Sequence, residues 1–121
     1  MRKTLTMLIS GTEDLQLVGE AKSGEEAIAL ARELSPDIIL MDINMSPVNG
    51  FEATRKILKY TPAARIIGLS LHTSPAYARN MLKLGAKGYV TKSAAQQEII
   101  EAIMKVAAGG KYIDKALKDK I

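Results

Sequence analysis

The chain has no cysteine and no tryptophan, and it has one phenylalanine and one histidine in 121 residues. Without cysteine there is no disulfide framework, no zinc knuckle and no thiol nucleophile. No apolar run approaches the roughly 18 residues that a membrane-spanning helix needs. No signal-peptide pattern opens the sequence either, so a cytoplasmic domain with no membrane partner is expected. Aromatic residues make up only 4%, too few to interleave with basic side chains as a nucleic-acid surface. The net charge of +4 comes from 17 Lys and Arg against 13 Asp and Glu. Most of these cations are scattered singly over predicted helix faces. The densest group, Lys111, Lys115, Lys118 and Lys120, is diluted by Asp114 and Asp119. Direct binding of nucleic acid by this domain is therefore not expected.

What is present is an ordinary globular balance, 47% hydrophobic and 25% charged. A chain of this length makes one domain and buries about two-thirds of its unfolded surface, enough for a core without staples. Short apolar runs alternate with longer amphipathic ones. Residues 2–10 (RKTLTMLIS) read as a helix ending near Gly11. Residues 15–21 (LQLVGEA) read as a short strand. Ser23 and Glu26 form a capping box for a helix that carries Ala27, Leu30, Ala31 and Leu34 on one face and stops at Ser35-Pro36. The run Ile38-Ile39-Leu40-Met41, ahead of Asp42, reads as a strand buried on both faces.

A helix is expected over about 50–60, then a buried strand over 65–71 (RIIGLSL). Ser74-Pro75 opens a helix that closes at Leu84-Gly85. Residues 87–91 (KGYVT) form a third short strand of this kind. Ser93 and Gln96 make a second capping box, and the helix that follows carries Ala95, Ile99, Ile103 and Ala107 on one face and ends at Gly109-Gly110. Such alternation implies right-handed βαβ units, a parallel sheet and an α/β fold.

In a doubly wound sheet, function collects at the carboxyl ends of the strands. Asp42, Ser70 and Lys92 each close one strand there. Singly, each has a dull structural explanation as a turn cap, a backbone-bonded hydroxyl or a solvated cation. Together, a carboxylate, a hydroxyl donor and an ammonium suit the handling of a phosphoryl group: Asp42 attacks phosphorus, Lys92 neutralises oxygen charge and Ser70 donates a hydrogen bond. A dehalogenase-type phosphatase uses a similar trio but needs a second aspartate where this chain has Asn44. His72, two residues past Ser70, reads as a loop residue, and the six methionines read as core packing.

DIILMDINM with Gly50 beyond it, RIIGLSLHT and LGAKGYVTKS, in this order and at these intervals, resemble the receiver domains of two-component response regulators. The SLHT wording, the Lys-Ser after the last strand and the AAGGKYI ending are most similar to the NarL/LuxR type. The resemblance covers about residues 2–110. It implies a flavodoxin-like doubly wound parallel sheet, a receiver-like domain over 1–110 and the start of a linker at 111–121. It further implies that Asp42 is the phosphoacceptor, charged by a sensor histidine kinase. Asn44 would lend its backbone carbonyl to Mg²⁺, held together with Asp42. Ser70 and Lys92 would bind the phosphoryl group, and Tyr89 would turn inward as a switch.

Homodimer formation and DNA contact through a separate output domain, controlling transcription, follow from the same resemblance. Beyond its own phosphorylation and dephosphorylation, no enzyme activity is implied. Ser46 stands where the family usually has proline, a departure of little chemical consequence.

The larger departure is at the amino end. The family's first strand and the acidic pair that closes it, which binds Mg²⁺, are absent from this sequence. Glu13-Asp14 precede the strand 15–21 and so lie at its amino end, away from the cleft. The absent strand is an interior one, and its loss would leave backbone groups of its neighbours unpaired at roughly 1–3 kcal/mol each. Three arrangements would restore the pairing: residues ahead of Met1 in a longer protein, movement of 15–21 to pair with 37–42, or exchange of elements between copies. The first is the expectation carried forward, and weakened Mg²⁺ binding follows from it. A degenerate receiver acting as a phosphorylation-independent interaction module is the alternative.

Overall fold

Four expected strands and two unexpected ones, 6–10 and 112–113, assemble into a single six-stranded sheet. The computed structural model describes residues 6–10, 16–21, 23–42, 50–70, 75–91 and 96–118. In chain order the elements are β1 Thr6–Ser10, β2 Gln16–Ala21, α1 Gly24–Leu34, β3 Ile38–Asp42, α2 Gly50–Tyr60, β4 Ile66–Ser70, α3 Pro75–Leu84, β5 Gly88–Thr91, α4 Gln96–Ala107 and β6 Tyr112–Ile113. The sheet order is β2-β1-β3-β4-β5-β6, with β3 to β6 parallel.

The strands sort their side chains by alternation. Ile39, Met41, Ile66 and Tyr89 join a core with Ala27 and Ala31 of α1, Ala53 and Ile57 of α2, and Ala78 and Met81 of α3. Ile38, Leu40, Ile67, Leu69 and Val90 face the other way, onto Ala102, Ile103 and Val106 of α4. Every residue of β3 is buried, as its unbroken apolar run predicts for a strand covered on both faces. The doubly wound, flavodoxin-like α/β class is thus the observed one.

Local chemistry sets the helix ends. The Ser23 hydroxyl accepts from the Glu26 N–H at 3.1 Å. At the end of α3, Gly85 takes φ +111°. Its N–H donates to the Leu82 carbonyl, and that of Ala86 to the Met81 carbonyl, a paired closure that glycine permits. Gly109, at φ +98°, closes α4 in the same way, its own N–H reaching Val106 and that of Gly110 reaching Lys105.

Two expectations are corrected. Residues 6–10 are not the end of a helix but strand β1, antiparallel to β2 on one side and to β3 on the other. The interior place beside β3 is therefore filled from within the chain, and 16–21 stays at the sheet edge instead of moving to β3. A helix of nine residues is marginal in isolation, whereas the open side of β3 offers a row of unpaired backbone groups. The ladder wins. The second correction concerns 111–118. This segment is not linker-like, because Tyr112–Ile113 extend the sheet beside β5 and Leu117 is fully buried.

Candidate functional site

The parallel register gathers three strand ends at one edge. Asp42, the last residue of β3, pairs with Leu69, and Ser70, the last residue of β4, pairs with Thr91 at the end of β5. Asp42 is buried, only 2% exposed, within the carboxyl edge of the sheet. Lys92 is the next residue after Thr91, and Asn44 lies two past Asp42. Both fall outside the described residues, as do His72 and Glu13-Asp14.

Tyr89 is fully buried in the core against α3. Its place depends on Gly68, its partner across the β4–β5 ladder. A Cβ there would sit 3.3 Å from Tyr89 Cδ2 and 3.0 Å from Met81 Cε.

Sequence reasoning missed the residues that hold the end of β5. The Asp114 carboxylate accepts from the Thr91 N–H at 2.9 Å and from the Thr91 hydroxyl at 3.0 Å. The Asp114 N–H in turn donates to the Tyr89 carbonyl at 2.8 Å. From α4, the Glu98 carboxylate accepts from the Tyr112 hydroxyl at 2.8 Å and from the Lys115 N–H at 2.9 Å. Burial, and then the Glu98 carboxylate, push the Tyr112 phenol well above its ordinary range. The signal in the sequence was Tyr112, Ile113 and Leu117, apolar positions just past the Gly109-Gly110 stop.

Receiver domains generally bind Mg²⁺ at an acidic pocket, and a hard cation of this kind needs several oxygen ligands. Among the described residues no group of three His, Asp or Glu side chains could hold a metal. The strand beside Asp42 is antiparallel, so its amino end, Thr6 paired with Met41, flanks that edge. Ser10 and Gln16, which bracket Glu13-Asp14 in sequence, pair at the opposite end. The described residues therefore do not make the cation site.

The sheet, parallel from β3 to β6, brings a buried aspartate, a serine and a threonine to neighbouring strand ends, the edge where sites collect in the doubly wound class. The chain matches the family of the response regulator receiver domain over residues 1–104. It belongs to that family, in its NarL/LuxR type.

It is 36% identical over its whole length to response regulator GacA of Pseudomonas aeruginosa, 56% of which it covers. The chain thus spans about half the length of the curated relatives it matches. A LuxR-family two-component response regulator from Aurantimonas superposes with a TM-score of 0.81 at 38% identity, over 84% of this chain and 72% of that one. The signal receiver domain of the putative response regulator NarL from Mycobacterium tuberculosis gives 0.73 at 31% identity, over 78% and 76%.

Proposed function

We propose that this domain carries a signal by accepting a phosphoryl group on Asp42, from a sensor histidine kinase or a small acyl phosphate, in the cytoplasm. The observation that supports this most strongly is the convergence of the ends of β3, β4 and β5 at one sheet edge, in a chain of the receiver family. In the transfer, an Asp42 carboxylate oxygen forms the new bond to phosphorus. The bond from phosphorus to the donor breaks, and the donor leaves with the electron pair. Lys92 offers its ammonium to the phosphoryl oxygens and Ser70 its hydroxyl, the roles that electrostatic stabilisation of phosphoryl transfer requires.

The product adds about 1.5–2 negative charges to one edge of the sheet. That is a local electrostatic change of the kind that biases a two-state element. Tyr89 and β5 are that element, and homodimer formation or an output domain acting on transcription is the readout.

Asp42 and the Asn44 carbonyl would hold a Mg²⁺ ion without the acidic pair the family uses, and the ion would neutralise phosphoryl charge when bound. Uptake that is slow and responds little to added Mg²⁺ is therefore expected. Intact-mass measurement of the chain incubated with acetyl phosphate tests this. A gain of one phosphoryl group that vanishes in Asp42→Asn supports the proposal, and a gain that persists in that variant contradicts it.

The incomplete acidic set also favours a second reading, a module that binds partners regardless of phosphorylation. Partner affinity unchanged in Asp42→Ala and Asp42→Glu would select it.

A further inference from the structure

The segment after α4 is pinned to the sheet by buried side chains as well as by the β5–β6 ladder. A buried carboxylate is costly unless donors surround it, and Asp114, 2% exposed, has three. Two come from Thr91, its N–H and its hydroxyl, onto Oδ2. The third is the Ala116 N–H onto Oδ1 at 2.8 Å. The Asp114 backbone adds two more bonds, its N–H to the Tyr89 carbonyl and its own carbonyl to the Leu117 N–H. Leu117 anchors the far side in the core, and Glu98 holds Tyr112 and Lys115 from α4. Gly88 makes the approach possible, since a Cβ there would lie 3.0 Å from the Tyr112 carbonyl oxygen.

We infer that residues 112–117 are a latch on β5, and that Asp114 is the positioning residue through which this segment sets the geometry of the Asp42 cleft. The inference rests on the phosphoacceptor reading of Asp42. The latch grips β5 on both sides of Val90, at Tyr89 and at Thr91, the strand's last residue at the cleft edge. Thr91 is one peptide bond from Lys92, so fixing its N–H and hydroxyl fixes where the chain enters that residue. Both carboxylate oxygens are engaged, Oδ2 by two donors and Oδ1 by one, which suits a pin better than a single contact would. Coupling is reciprocal. A rearrangement of β5 on phosphorylation must strain or release the latch, and displacement of 112–117 must in turn alter the cleft.

The test uses the 121-residue chain with Asp114→Ala, Asp114→Asn, Thr91→Val and the Thr91→Val/Asp114→Ala double variant. Three quantities are read: the rate of phosphoryl uptake from acetyl phosphate by intact mass, the NMR signals of the Tyr89 ring and of the Thr91 and Lys92 amides, and the melting temperature. Asp114→Ala is expected to slow uptake about tenfold and to shift all of those signals. Asp114→Asn, which keeps an acceptor oxygen, restores most of the rate. Thr91→Val slows uptake less and adds nothing on the Asp114→Ala background.

A lower melting temperature with uptake and Tyr89 signals unchanged overturns the inference, because the latch is then only structural. Should Asp114→Ala not fold, an unchanged rate and spectrum in Thr91→Val overturns it equally. Should the unaltered chain take up no phosphoryl group, the reading of Asp42 fails separately. The Tyr89 and Thr91 signals then decide the latch alone, a shift supporting it and none overturning it.

Discussion

Ser35 holds α1 closed in a conformation that costs an L-residue energy. Its φ is +45°, in the left-handed region, while its N–H completes the helix by donating to the Ala31 carbonyl. Glycine adopts that conformation freely. Ser35→Gly is expected to raise stability by about 0.5–1 kcal/mol, read as a higher midpoint in thermal or urea unfolding. Tyr112 makes a pH-dependent contribution. Its phenol is favoured protonated in the folded state, by burial first and by Glu98 next. A group whose pKa is raised on folding contributes fully below its unfolded value, about 10 for tyrosine, and loses that contribution as pH rises beyond it. The unaltered chain should therefore lose stability above about pH 10 faster than Tyr112→Phe. Parallel unfolding curves for the two across that range would contradict the assignment.

At the scale of elements, legibility followed how local the determining forces are. The capping box at Ser23 and Glu26 and the glycines at 85 and 109 act within a few residues, and the helices ended where those residues stand. The unbroken Ile38–Met41 run announced a strand covered on both faces because burial on both sides leaves no polar position. Residues 6–10 were misread because their periodicity is compatible with a helix, and only the unsatisfied side of β3 makes them a strand. The latch was misread as linker because Lys111, Lys115 and Lys118 dominate its composition, while Tyr112, Ile113 and Leu117 do the packing. The antiparallel β1–β2 pairing has a direct test in this cysteine-free chain. Met7 and Glu20 are opposed across the ladder, so cysteines placed there have Cα atoms roughly 4.5–5.5 Å apart, within a disulfide's span. Met7→Cys/Glu20→Cys should crosslink intramolecularly under mild oxidation. Failure to crosslink in the folded chain would return 6–10 to the helix.

The whole molecule is a sheet covered by α1, α2 and α3 on one face and α4 on the other, and this layering brings distant residues to one edge. Asp42 and Ser70 are 28 residues apart and Ser70 and Lys92 are 22 apart, spacings that alone say only that each follows a strand. The parallel register converts those spacings into adjacency for Asp42, Ser70 and Thr91. Lys92 and Asn44 lie outside the described residues.

Phosphoryl acceptance by Asp42 is decided by intact-mass kinetics with acetyl phosphate, run with and without Mg²⁺ on the chain and on Asp42→Asn. A slow addition of one phosphoryl group is expected, little changed by the cation and lost in the variant. Addition that is rapid and strictly Mg²⁺-dependent, or that survives the loss of the Asp42 carboxylate, would contradict it.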